Sequence, residues 1–135
     1  MHINTHFLYL MGFFDGAAQR SSCACGVWIA ISTELSYKIF WNGVRGTNNK
    51  AEAIALWGLL WFNNFLNIPY LRIYGDSKII IDQVLRKASI NTPMLQGWLE
   101  RIDLLWQLHE GSTIQHIDRN QNTEVDTLSK KACWE

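Results

Sequence analysis

The order of apolar runs along this chain predicts an α/β domain. Three strand-like runs in succession, Leu8–Phe14, Cys23–Ser32 and Tyr37–Trp41, read as an antiparallel meander. From the third run onward a strand, a helix, a strand and another helix follow in that order, which implies parallel pairing through right-handed crossovers. A long helical run beginning at Thr47 separates the two regimes, and the rest of the chain is organised around its start.

Each element has its local reason. The first strand is expected to end at Asp15-Gly16-Ala17-Ala18, because an Asp-Gly pair marks the end of regular pairing. Asn42-Gly43 to Gly46 reads as a loop. Thr47 is a good N-cap, and Ala51, Ala53, Leu56, Leu59, Leu60 and Phe62 carry a helix to about Asn64 or Leu66, before Pro69. Tyr70–Tyr74 is a short strand followed by Gly75-Asp76-Ser77, and Ile79, Ile80, Ile81, Val84 and Leu85 give the next helix its apolar stripe. Asn91-Thr92-Pro93 breaks the chain. Met94–His109 is amphipathic through Trp98, Ile102, Leu105 and Trp106, Gly111 ends it, and Thr113–Ile117 is the last strand. Thr123 caps a short final helix from Glu124 to about Cys133.

Composition bounds the function. The 135 residues suit one domain, 1–135, with 48% hydrophobic residues to fill a core. Twelve basic and twelve acidic residues cancel, so a nucleic-acid partner must be held by local contacts rather than by net charge. Cys23, Cys25 and Cys133 offer no zinc spacing and read as core thiols of a reducing compartment. The apolar run Phe7–Phe14 lacks the basic flank and cleavage pattern of a signal peptide, and no stretch approaches a membrane span. A soluble, intracellular protein, cytoplasmic or nuclear, is expected.

The carboxylates stand out as a set. Asp15 and Asp76 are placed at the ends of the first and fourth strands, Glu52 near the start of the long helix on its apolar side, and Asp126 in the first turn of the last helix. Ligands of open α/β sheets gather at the carboxyl ends of parallel strands, and Asp15 and Asp76 meet there only if their strands are neighbours. Acids sharing one pocket repel unless a cation holds them, and hard oxygen ligands suit magnesium or manganese. The same positions are where caps and surface acids ordinarily fall, so the residues alone leave both readings open.

Phe14-Asp15-Gly16-Ala17, Thr47-Asn48-Asn49-Lys50-Ala51-Glu52, Tyr74-Gly75-Asp76-Ser77 and Asn122-Thr123-Glu124-Val125-Asp126-Thr127-Leu128-Ser129 together resemble type 1 ribonuclease H, from Leu8 onward and in order. The closest likeness is to the plant and retroelement-related ribonuclease H domains. The resemblance implies a five-stranded mixed sheet, three antiparallel strands then two parallel ones, with helices on both faces. It implies cleavage of the RNA strand of an RNA–DNA hybrid by two-metal hydrolysis, leaving a 3′-hydroxyl and a 5′-phosphate. By position, Asp15, Glu52, Asp76 and Asp126 are its catalytic, metal-binding acids, for two Mg2+ ions with Mn2+ as the alternative. Asn48 becomes a reader of the RNA 2′-hydroxyl, Thr47 and Asn49 contact the hybrid backbone, and Ser77 sits beside the metals. His116 and Asn122 are auxiliary candidates; His116 also reads as an ordinary strand histidine.

Two functions from different classes remain in view. An active hybrid nuclease fits the intact acids, whereas a catalytically silent nucleic-acid-binding domain of retroelement origin fits the neutral charge and the departure from bacterial members of that family. Those members grip the hybrid with a basic helical protrusion, where Arg86-Lys87-Ala88-Ser89 here leads straight to the Pro93 break. A DNA-cutting relative such as an integrase or resolvase is disfavoured by Thr47-Asn48-Asn49. Lys50, Arg72, Lys78, Lys130 and Lys131 are the local cations that would help. His2, His6 and His109 read as surface residues, and Asp82, Glu100, Asp103 and Asp118 as solvated acids. The expected partner is an RNA–DNA hybrid, with no membrane, and the expected state is a monomer, alone or within a larger polyprotein.

Overall fold

The computed structural model describes residues 10–20, 22–32, 34–86 and 93–122. Strands β1 (Met11–Gln19), β2 (Ser22–Ala30) and β3 (Ser36–Arg45) form the meander, and helix α1 (Asn48–Phe65) crosses to β4 (Arg72–Gly75). Helices α2 (Lys78–Val84) and α3 (Pro93–Trp106) lead to β5 (Thr113–His116), and a 3-10 turn covers Arg119–Asn122. The five strands lie in the order β3-β2-β1-β4-β5. β1 runs antiparallel to β2 and parallel to β4, and β4 runs parallel to β5, so the sheet is mixed as expected.

The apolar side of α1 explains why it lies on the sheet. Ala51 is buried, and Ala53, Ile54, Ala55, Leu56, Leu59 and Leu60 are buried in one cluster with Phe14, Val27, Ile29 and Ile73 of the strands. Full burial of each leucine or isoleucine stabilises by about 1.5–3 kcal/mol, so this one helix anchors much of the core. α1 rests on β1 and β2, and α3 packs over α1. Cys23 and Cys25 are buried on the helix side of β2, where their thiols donate to the carbonyls of Thr47 (3.7 Å) and Ala51 (3.4 Å).

Several local expectations need correction. β1 does not end at Asp15-Gly16 but pairs with β2 as far as Gln19↔Ser22, and the reversal comes at Arg20, whose φ is 53°. Gly16 serves close packing against α1, not a turn. β3 does not stop at Trp41; it continues through Asn42 and Gly43 to Arg45, across a register shift opposite Cys23/Ala24. Gly43, with φ 124°, takes the left-handed conformation that this bulge needs. His109 is not a surface residue: it is 4% exposed, with Nδ1 2.6 Å from the Leu105 carbonyl. Asp82 and Asp103 do lie on solvated faces, where they pair with the exposed Lys78 (2.8 Å) and Arg86 (3.3 Å). The final helix expected from Glu124 lies outside the described residues. Among those residues no helix is long and apolar enough to cross a membrane.

Candidate active site

The neighbouring β1 and β4 bring two acids to one level. Their parallel register closes at Phe14↔Gly75, and Asp15 and Asp76 are the residues that follow that pair. Glu52, the fifth residue of α1, comes in from above and is 7% exposed. It therefore lies just past the first turn, where the sheet and not the helix terminus dominates its surroundings. Its Oε1 accepts from the Gly16 N–H. Carboxylate oxygens of Asp15, Glu52 and Asp76 all lie within 4.8 Å of one another.

Burial and mutual repulsion dominate the electrostatics. Asp15 is 3% exposed, and the Asp76 side chain is 5% exposed although its backbone is more open. Burial first, and then the charges of Asp15 and Asp76, push the Glu52 carboxyl up to about 10; a hydrogen bond with Asp15 adds to the rise, and the Gly16 N–H opposes it. Three buried carboxylates cannot all be ionised here without positive charge. Among the described residues Arg119 pairs with them, its Nε 3.5 Å from Asp76 Oδ2, an oxygen that is buried and accepts no hydrogen bond among those residues.

The acids floor an open cleft of about 410 Å³ whose walls include Gly16, Asn48, Asn49, Ser77, Lys78 and Arg119. Asn48 Oδ1 accepts from the Ala18 N–H at 2.7 Å, which ties the helix start to the extended end of β1. Thr47 does not line the cleft; its hydroxyl caps α1 by accepting from the Lys50 N–H at 3.3 Å. Ser77 precedes α2 without a side-chain cap bond. His116 is the exposed last residue of β5 and is not part of the cleft lining. Asn122 is buried behind the acids and donates from Nδ2 to the Phe14 carbonyl at 3.0 Å. Asp126 lies outside the described residues.

Sequence reasoning passed over Arg119. It sits beyond β5 in a 3-10 turn, outside any apolar periodicity, and only the sheet order brings it to Asp76.

A family model described as reverse transcriptase-like matches residues 14–132. RNase H1 from the halophilic archaeon Halobacterium salinarum aligns with a TM-score of 0.85 at 25% identity, over 93% of this chain and 97% of that one. The chain belongs to the ribonuclease H family.

This ribonuclease H domain also matches LC11-RNase H1, isolated from compost, in its complex with an RNA/DNA hybrid. That structure aligns with a TM-score of 0.76 and 22% identity, over 91% of this chain and 95% of the other, a likeness of fold. In sequence the domain is 29% identical to the "Uncharacterized protein YpeP" of Bacillus subtilis, over 88% of this chain and 56% of that protein. The chain therefore spans little more than half of the curated relative it matches.

Proposed function

We propose that this domain hydrolyses the RNA strand of RNA–DNA hybrids with the help of divalent cations. The observation that carries the reading is the convergence of Asp15, Glu52 and Asp76 at the floor of an open cleft. Their oxygens fit a hard cation: they are close, mostly buried, mutually repelling and, at Asp76 Oδ2, without a hydrogen bond among the described residues. Asp15, Glu52 and Asp76 would hold the ions, joined by Asp126 from beyond the described residues. Bound there, Mg2+ supplies charge stabilisation to the phosphodiester and acidifies a water.

The chain's own groups divide the remaining work. Glu52, relieved of its proton once its neighbours' charge is balanced, orients the attacking water. Hydrolysis then joins the water oxygen to phosphorus and releases the ribose O3′ as a hydroxyl. Asn48 has its carbonyl engaged by Ala18, so Nδ2 is the group left to donate, and a ribose 2′-hydroxyl is a fitting acceptor. Asn49, Ser77 and Arg119 line the cleft where phosphate oxygens of a bound strand would pass. Thr47, as the cap of α1, supports Asn48 from behind.

The hybrid is favoured as substrate by this 2′-hydroxyl reader and by the hybrid held in LC11-RNase H1. Calorimetric titration with Mg2+ or Mn2+ tests the metal part of the reading. Binding that is lost in Asp76→Asn supports it, and a wild-type domain that binds neither ion overturns it.

A further inference from the structure

We infer that Asn122 is a positioning residue whose side-chain amide, docked on the Phe14 carbonyl where the β1–β4 ladder ends, pins the turn after β5 and fixes Arg119 against Asp76. The ladder shows where that amide docks. The Arg72 N–H donates to the Leu10 carbonyl at 2.8 Å, so carbonyls of even-numbered residues in this part of β1 face β4. By the two-residue repeat, Phe14 is an acceptor on that same edge, in the last pair of the ladder, Phe14↔Gly75. β4 ends at Gly75, and at that end Asn122 Nδ2 also donates to the Phe14 carbonyl, at 3.0 Å.

The neighbouring strand runs on in the same way. The Ile117 N–H donates to the Gly75 carbonyl at 2.9 Å, so the chain beyond β5 wraps over the end of β4. The 3-10 turn that follows has three residues per repeat, which sets Arg119 and Asn122 on one face. Asn122, 1% exposed, is thus the buried pin of a turn whose other end presents a guanidinium 3.5 Å from Asp76. Without the pin, Phe14 loses a partner for its carbonyl directly before Asp15, and Arg119 loses its reference to the sheet.

The first test does not depend on activity. In the metal-free, 15N-labelled domain the Arg119 Nε–H, 3.5 Å from Asp76 Oδ2 on a side chain that is 80% exposed, should give a signal displaced by that carboxylate from the position of an arginine with no acid beside it. Asn122→Ala should return that signal to the acid-free position, as Asp76→Asn does; an unchanged signal overturns the inference. The second test rests on the proposed hybrid cleavage. Asn122→Ala should lower kcat on the order of tenfold or more while KM moves by less than about threefold. Combining it with Arg119→Ala should cost no more than the larger single loss, because the two act through one contact. Multiplicative losses, or wild-type kcat in Asn122→Ala, overturn the positioning role. Loss of the folded circular-dichroism spectrum in both Asn122→Ala and Asn122→Asp also overturns it, since Asn122 would then serve global stability. A wild-type domain that cuts no hybrid defeats the proposed function and leaves the spectroscopic test standing.

Discussion

Gly16 and Ala51 meet backbone to backbone: a methyl group on Gly16 would overlap the Ala51 carbonyl and the Glu52 amide. This contact lets the start of α1 press onto β1 and delivers Glu52 to Asp15. Gly16→Ala should therefore force helix and strand apart, at a cost of about 3 kcal/mol, the upper end of ordinary overpacking. Urea unfolding measures it. A loss below about 0.5 kcal/mol would contradict the packing described.

The Asp76 carboxylate should be needed for chemistry and not for the fold. Asp76→Asn keeps the shape of the side chain and removes mutual repulsion, so its melting temperature should be at least that of wild type. Hybrid cleavage should fall by about a thousandfold or more, equivalent to about 4 kcal/mol of barrier. Turnover near wild type would remove Asp76 from the site.

Glu52 gives stability a pH dependence of defined sign. Its folded-state pKa of about 10 lies above the ordinary 4.5, so between these values the folded chain holds a proton that the unfolded chain has lost. Stability contributed by this group is therefore complete below about 4.5 and declines as pH rises towards 10. In EDTA the wild-type melting temperature should fall between pH 5 and pH 8, and Glu52→Gln should flatten that fall. Identical slopes for the two proteins would contradict the shift.

Much of this arrangement was legible from local chemistry, and the part that was not has physical causes. Thr47 and the buried alanines and leucines after it announce α1 and place its acid on the inner side, because a cap and a helical repeat are local signals. Asp15-Gly16-Ala17-Ala18 misleads, because a glycine required by a neighbouring helix looks like one required by a turn. The actual reversal uses Arg20 at φ 53°, a conformation that no arginine advertises. The pairing of β1 with β4, and with it the meeting of Asp15, Asp76 and Arg119, is a matter of sheet order. His109 falls beyond the last turn of α3, where the helical stripe no longer predicts burial, yet it is 4% exposed with its Nδ1 2.6 Å from the Leu105 carbonyl.

Asn48 should decide which sugar is accepted. Asn48→Ala removes both the bond to the Ala18 N–H and the free amide, so a stability loss of about 1 kcal/mol is expected from the first. From the second, the preference for hybrid over DNA duplex should shrink by about tenfold, one hydrogen bond's worth. Competition binding with the two duplexes measures the ratio. An unchanged ratio would mean that the start of α1 does not read the sugar.

The most direct measurement is cleavage of an end-labelled RNA–DNA hybrid at low salt, with and without Mg2+, beside matched DNA duplex and single-stranded RNA. Low salt matters because a chain of zero net charge holds a polyanion only through local contacts. The expected result is cutting of the RNA strand alone, dependent on the metal and absent in Asp76→Asn. A folded wild-type domain that binds the hybrid and leaves it intact with Mg2+ present would contradict the nuclease and make this a binding domain.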